Sequence, residues 1–82
     1  MTIQEKIGKR IFQLRKDNIG LSQEKFAYEA DIERSFFTHI EKGNKNISVG
    51  TLERVVTALG VSFKEFFSDE IFNDSGKKKK KN

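Results

Sequence analysis

Residues 22–43, SQEKFAYEADIERSFFTHIEKG, read as two short helices joined by a tight turn, and this constrains the fold more than any other stretch. Ser22 is a helix N-cap residue and opens a first helix over Gln23–Glu29. Ala30, Asp31 and Ile32 make the turn, where Asp31 tolerates the left-handed region better than most residues other than glycine. A second helix follows over Glu33–Glu41, and Gly43 stops it. Phe26, Ala27, Ala30, Ile32, Phe37 and Ile40 are the apolar positions, with Ala27 small where crossing helices must approach closely. On the second helix Phe37 and Ile40 point one way. Arg34, Ser35, Thr38, His39 and Lys42 fall at i, i+1, i+4, i+5 and i+8 and point the other way.

The rest of the chain is helical by the same reasoning. Thr2-Ile3-Gln4-Glu5 is a capping box that starts a helix, and Ile3, Ile7, Ile11 and Leu14 give it a buried stripe. Lys6, Lys9, Arg10 and Lys16 fall on its wet side, and Gly20 ends the region. Ser48 caps a fourth helix with Leu52, Val55, Val56 and Leu59 on one face, and Gly60 ends it. Ser62-Phe63-Lys64-Glu65 is a second capping box and opens a fifth helix, which continues or restarts through Ile71 and Phe72. With no proline and sustained 3.6-residue periodicity, the 82 residues predict one all-α domain of five helices over 1–74. Ser75-Gly76 and the lysines after them are expected to be a disordered basic tail, 75–82.

Several classes of function fall away. Without cysteine there is no disulfide framework and no thiolate metal site, which fits a reducing, cytoplasmic setting. The longest apolar runs are two or three residues, so no segment is expected to span a membrane, and MTIQEKIGKR lacks the apolar core of a signal peptide. His39 is the one histidine, so neither a metal nor a cofactor is expected. No His/Cys/Ser constellation or nucleotide-binding loop is present, and a bundle this small leaves little room for a pocket. An enzyme is not expected, nor a small-molecule ligand.

The net charge of +4 points to nucleic acid only once it is dissected. Lys77–Lys81 supply five positive charges, whereas residues 1–74 carry 11 Lys/Arg and 12 Asp/Glu. Within that body, residues 1–45 are net +2 and residues 46–74 net −3. Such asymmetry is expected if one end of the domain faces phosphates. The lysine run itself fits a phosphate-gripping arm, a solubilising tail or an appended tag equally well.

The polar stripe on the second helix holds the donors and acceptors that read base edges in a major groove. Arg34 can pair bidentately with guanine O6 and N7, or grip phosphate and carry no sequence information. Ser35 and Thr38 can each offer a hydroxyl, and Thr38 also a methyl for thymine. Glu41, beside Ile40 on the inner edge, is expected to pair with a basic residue inside the fold. Glu33 either favours the positive helix N-terminus or accepts from a cytosine N4. Phe36 lies off the core stripe and can pack against sugars or a thymine methyl. Phe63, Phe66, Phe67, Ile71 and Phe72 exceed what one small core can absorb. Phe63, with at most one of Phe66 and Phe67, is assigned to the core; Phe66, Phe67, Ile71 and Phe72 are the candidates for a homodimer interface.

The order of the five helices, with GLSQ at 20–23, HIEKGNKNIS at 39–48 and ALGVSFKEFF at 58–67, resembles the Cro/phage-repressor type of helix-turn-helix domain over about residues 5–67. In its length and its aromatic fifth helix the chain is similar to the controller proteins of restriction–modification systems. That resemblance implies a homodimeric, sequence-specific regulator of transcription bound to double-stranded operator DNA, the operator being a pseudo-palindrome. It also implies roles: Gln23 on a backbone phosphate, Arg34, Ser35, Thr38 and His39 on bases, and Phe36, Lys42, Asn44, Lys45 and Asn46 against the phosphate backbone. The chain departs from the pattern where Asp31 replaces a turn glycine and Glu33 a Ser/Thr N-cap. Phe36 stands where many relatives have tyrosine, so a phenol-to-phosphate hydrogen bond cannot form. Gly50 takes the place of a common glutamate. Antitoxins use the same domain, and a protein-interaction module could use the same scaffold without DNA.

Overall fold

Thr2 opens α1 (Ile3–Leu14) through the reciprocal capping box that its sequence encodes. The Thr2 hydroxyl accepts from the Glu5 N–H at 3.1 Å, and Glu5 Oε1 accepts from the Thr2 N–H at 2.8 Å. The computed structural model describes residues 1–73, which form helices and turns with no strand among them. Past Leu14 the helix widens into a π-helical turn over Arg15–Ile19, closed by Gly20. α2 (Gln23–Glu29) and α3 (Arg34–Lys42) follow, capped by Ser22 and Glu33; α4 (Val49–Leu59) is capped by Ser48. α5 (Phe63–Phe66) is a single turn capped by Ser62. The chain restarts as a 3₁₀ turn, Glu70–Phe72, whose Asp69 carboxylate accepts from the Ile71 N–H at 2.9 Å.

The turn between α2 and α3 forms as its residues require. Asp31 takes φ 59°, the one non-glycine residue at positive φ among those described. Its N–H donates to Tyr28 O at 3.1 Å and the Ile32 N–H to Ala27 O at 2.9 Å, which satisfies the last carbonyls of α2. Ile32 is thereby turned inward and buried.

The core gathers Ile11 and Leu14 from α1, Phe26 and Ala27 from α2, Ala30 and Ile32 from the turn, and Phe37 and Ile40 from α3. Val55, Val56 and Leu59 from α4 and Phe66 from α5 complete it. α1 crosses α3 at Gly8, where a Cβ would lie 2.5 Å from Glu41 O and 2.6 Å from Ile40 O. The backbones touch there, and no larger residue fits without moving one of them.

Three expectations are corrected. Ile3 is 53% exposed, because the first turn of α1 overhangs the core that Ile7 and Ile11 enter. Phe63 and Phe66 exchange roles: Phe63 is 40% exposed and Phe66 fully buried, so Phe66 belongs to the monomer core and not to a dimer surface. The two share a helix face at i and i+3, but Phe63 opens the turn at its outer end and only Phe66 reaches the core, where it stacks near Phe67 and Phe72 at centroid distances of 5.0 and 6.1 Å. Arg10 is not on the wet side. Its guanidinium donates to Phe66 O at 2.7 Å and Glu65 O at 2.8 Å, and pairs with Asp69 at 3.3 Å. A cation thus closes the C-terminal carbonyls of α5.

Inside the fold lies a buried ion pair. Arg15 Nε donates to Glu41 Oε2 at 2.7 Å and Nη2 to Oε1 at 3.0 Å, while Nη1 donates to Leu21 O at 2.8 Å. Both side chains are about 95% buried. Removing one partner of such a pair costs about 3–5 kcal/mol, because the other charge is stranded.

Glu41→Gln should lower the urea-unfolding free energy by about 3–5 kcal/mol, and the double variant Arg15→Met, Glu41→Leu should recover most of the loss. A loss below about 0.5 kcal/mol in the single variant, the level of an ordinary surface change, would show that the pair is not an anchor. Gly8→Ala should destabilise by about 1–3 kcal/mol through overpacking, at roughly 4–8 °C of Tm per kcal/mol for a domain of this size. A thermal melt unchanged from wild type would contradict the close crossing.

Candidate nucleic-acid interface

The polar stripe forms on α3 as the spacing requires. Arg34, Ser35, His39 and Lys42 are exposed and Thr38 is half-buried, with Phe37 and Ile40 in the core behind them. From Arg34 to Lys42 the stripe runs about 12 Å at the helical rise, close to the width of a B-DNA major groove. Arg34, Lys42 and Lys45 make no ion pair within the described residues, so their charge is available to a ligand.

Glu33 is where its charge belongs to the helix. Its Oε1 accepts from the Ser35 hydroxyl at 2.7 Å and the Phe36 N–H at 3.0 Å. The Ser35 hydroxyl, then the Phe36 and Ser35 N–H groups, hold this carboxyl below the usual glutamate range. Of its two expected roles, the structure assigns the helix cap, so a Glu replaces the Ser or Thr that usually stands there.

Glu41 pairs inside the fold, as expected of its place on the inner edge, and it also reaches the stripe. Its Oε1 accepts from Gln23 Nε2 at 2.8 Å. Gln23 Oε1 in turn accepts from the Thr38 hydroxyl at 3.1 Å. Thr38 can also donate to Arg34 O at 3.1 Å. Gln23, placed on phosphate by resemblance, therefore has its carbonyl and one amide hydrogen engaged within the domain, and its second amide hydrogen is left over.

The segment after α3 is braced from two sides. Gly43 takes φ 79° and its backbone lies against Glu5 of α1. The Asn44 N–H donates to His39 O at 3.0 Å, and its side chain lies 3.5 Å from His39 Nδ1. Asn46 accepts from Gln4 Nε2. Lys45 stays exposed between these two anchors. Phe36 is half-buried against the core, its side chain has no atom that could hydrogen-bond a phosphate, and its N–H is taken by Glu33. Ile71 and Phe72 are half-buried, and Phe67 is 37% exposed with its ring 4.8 Å from that of Phe72. The lysine run lies outside the described residues.

Arg15 escaped the sequence reading, although a signal was there: it follows Ile7 and Ile11 at i+4 steps, on the buried face of α1. The Gln4–Asn46 and Arg10–α5 contacts join residues 42 and about 55 positions apart, and no local pattern announces them.

The profile of the helix-turn-helix family matches residues 11–66 of this chain. Over 67 residues the chain is 39% identical to the control protein C.MunI of a Mycoplasma species, covering 82% of this chain and 90% of that protein. The restriction–modification controller protein C.AhdI from Aeromonas hydrophila has a similar structure, with a TM-score of 0.73 at 34% identity over 79% of this chain and 97% of that one. The controller protein C.Esp1396I, solved as a tetramer in complex with its natural 35-base-pair operator, gives 0.75 at 28% identity over 82% of this chain and 87% of its own. The chain belongs to the helix-turn-helix family of restriction–modification controller proteins.

Proposed function

We propose that this chain is a sequence-specific transcription regulator that inserts α3 into the major groove of operator DNA, working as a homodimer. The observation that carries this reading is the stripe itself: cations without ion-pair partners and short polar groups on one helix face, held by buried contacts behind it. Arg34 stands at the helix start, where a guanidinium can read guanine bidentately. Ser35, Thr38 and His39 face the neighbouring base edges. Lys42, Asn44, Lys45 and Asn46 line the flank that would meet the sugar–phosphate backbone, with the spare Gln23 amide hydrogen at the start of α2. Phe36 contributes apolar contact only.

Specificity requires a second copy, since one recognition helix reads only a few base pairs. Phe67, Ile71 and Phe72, with the exposed Phe63 beside them, form an aromatic surface on the fifth helix and the turn after it. Basic charge is scarce there, the reverse of a DNA face. Two copies joined through this surface would read a pseudo-palindrome with half-sites about one helical turn, ~34 Å, apart.

The test separates specificity from affinity. Selection from random duplex DNA should return a pseudo-palindrome. Arg34→Ala should cost ~1–3 kcal/mol on it and flatten discrimination at one base pair per half-site. Lys45→Ala should weaken all sequences alike and reduce the salt slope by about 0.9. An Arg34→Ala protein with its sequence preference intact would reject the groove assignment. Sedimentation of Phe67→Ala should show dimerisation weakened about tenfold, the equivalent of 1.4 kcal/mol. A wild type that stays monomeric at tens of micromolar and footprints a single half-site would overturn the dimer.

A further inference from the structure

The buried pair and the DNA-facing stripe are joined by a chain of hydrogen bonds whose direction is fixed throughout. A carboxylate only accepts, and a guanidinium only donates. Glu41 Oε1 therefore takes hydrogens from Arg15 Nη2 and from Gln23 Nε2. Turning the Gln23 amide over would set its carbonyl oxygen against the carboxylate, so Oε1 has to face Thr38. The Thr38 hydroxyl has one hydrogen and two inward partners, Gln23 Oε1 and Arg34 O, both of which can only accept. Its hydrogen goes to Gln23 Oε1, which has no other donor among the described residues, with Arg34 O a second acceptor on the same inward side. What the hydroxyl keeps for the outside is lone pairs. If it donated outward instead, Gln23 Oε1 would lose its partner at a surface that bound DNA would close to water.

From this we infer that Thr38 acts as an acceptor-only reader, selecting in each half-site a base that offers an exocyclic amino group to the major groove. Adenine N6 and cytosine N4 are such donors; guanine O6 and N7 and thymine O4 are not. Ser35 is set the same way, since its hydrogen goes to the Glu33 carboxylate. Both hydroxyls of the stripe thus complement Arg34, which can only donate. The inference rests on the DNA-binding reading above and deepens it, by naming the chemical group read at one position.

The full-length chain and its selected operator provide the test. Thr38→Val keeps the side-chain shape and removes the hydroxyl; Thr38→Ser keeps the hydroxyl, and thermal melts establish that both fold. Thr38→Val should flatten the preference at one base pair per half-site; every pair carries one amino group in the major groove, on its adenine or its cytosine, so deleting that group tests whether it is what Thr38 reads. Replacing that adenine by purine, or that cytosine by 2-pyrimidinone, deletes only the amino group. This should weaken wild type and Thr38→Ser by about three- to tenfold more than it weakens Thr38→Val, the worth of one hydrogen bond. A wild type that binds the amino-deleted operator as tightly as the natural one would overturn the inference. So would an amino deletion felt equally by all three proteins, or a Thr38→Val protein with unchanged preferences. Those outcomes leave the regulator reading standing; a wild type with no sequence preference on any DNA would remove both.

Discussion

Arg15 and Glu41 hold three helices in one relation, and most of the domain's geometry follows from that contact. Arg15 stands at the end of α1, Glu41 near the end of α3, and Gln23 at the start of α2. Two charges removed from water cost several kcal/mol each, and their attraction offsets this only when the geometry is good and the remaining hydrogen-bonding capacity is used. Here it is used: the guanidinium makes three bonds, the carboxylate accepts three, and no buried side-chain polar atom among the described residues lacks a partner. Apolar residues of similar volume could supply comparable stability. They could not supply direction, because an apolar side chain has no acceptor to make a neighbouring amide face one way, as the Glu41 carboxylate does for Gln23.

That distinction bears on how a domain this small can recognise anything. A core of a dozen buried apolar residues fixes where α3 lies but says nothing about which hydrogen sits on which oxygen. Hydrogen-bond recognition depends on that second property. The ion pair connects the two, since the same contact that sets the helix crossing also orders the polar groups at its surface. α3 itself is nine residues long and would be marginal in isolation, so its shape at the surface is lent to it by the packing behind.

Much of this was legible in the residues. Caps announce themselves through local chemistry, and Thr2, Ser22, Ser48 and Ser62 all do what their type and position imply. Asp31 was readable for the same reason, because few other residues accept its backbone angle. The inner stripe of α3 followed from periodicity alone. Legibility ended where a side chain's fate depends on residues far along the chain. Arg10 is a surface residue by its neighbours and an α5 cap by its partners 55 and 56 positions away. Phe63 and Phe66 lie three residues apart on one face of a capped turn, and only the placement of that turn on the rest of the fold decides which of them reaches the core. Glu33 was ambiguous because two good partners compete for a carboxylate there, and the nearer one holds it.

The π-helical turn at Arg15–Ile19 has a further consequence, one of descent. Such a turn holds one more residue than an α-helical turn between the same two ends. Its bond from the Gly20 N–H back to Arg15 O, at 2.7 Å, spans that surplus. The residues inside it, Lys16, Asp17 and Asn18, are exposed, while Arg15 before them is fixed by Glu41. The exposed residues of this turn are therefore the place in the first helix where the chain can shorten by one residue and relax into ordinary α geometry, so long as Ile19 keeps its place against the core. Related chains that differ in length before their second helix have here a ready point at which to differ.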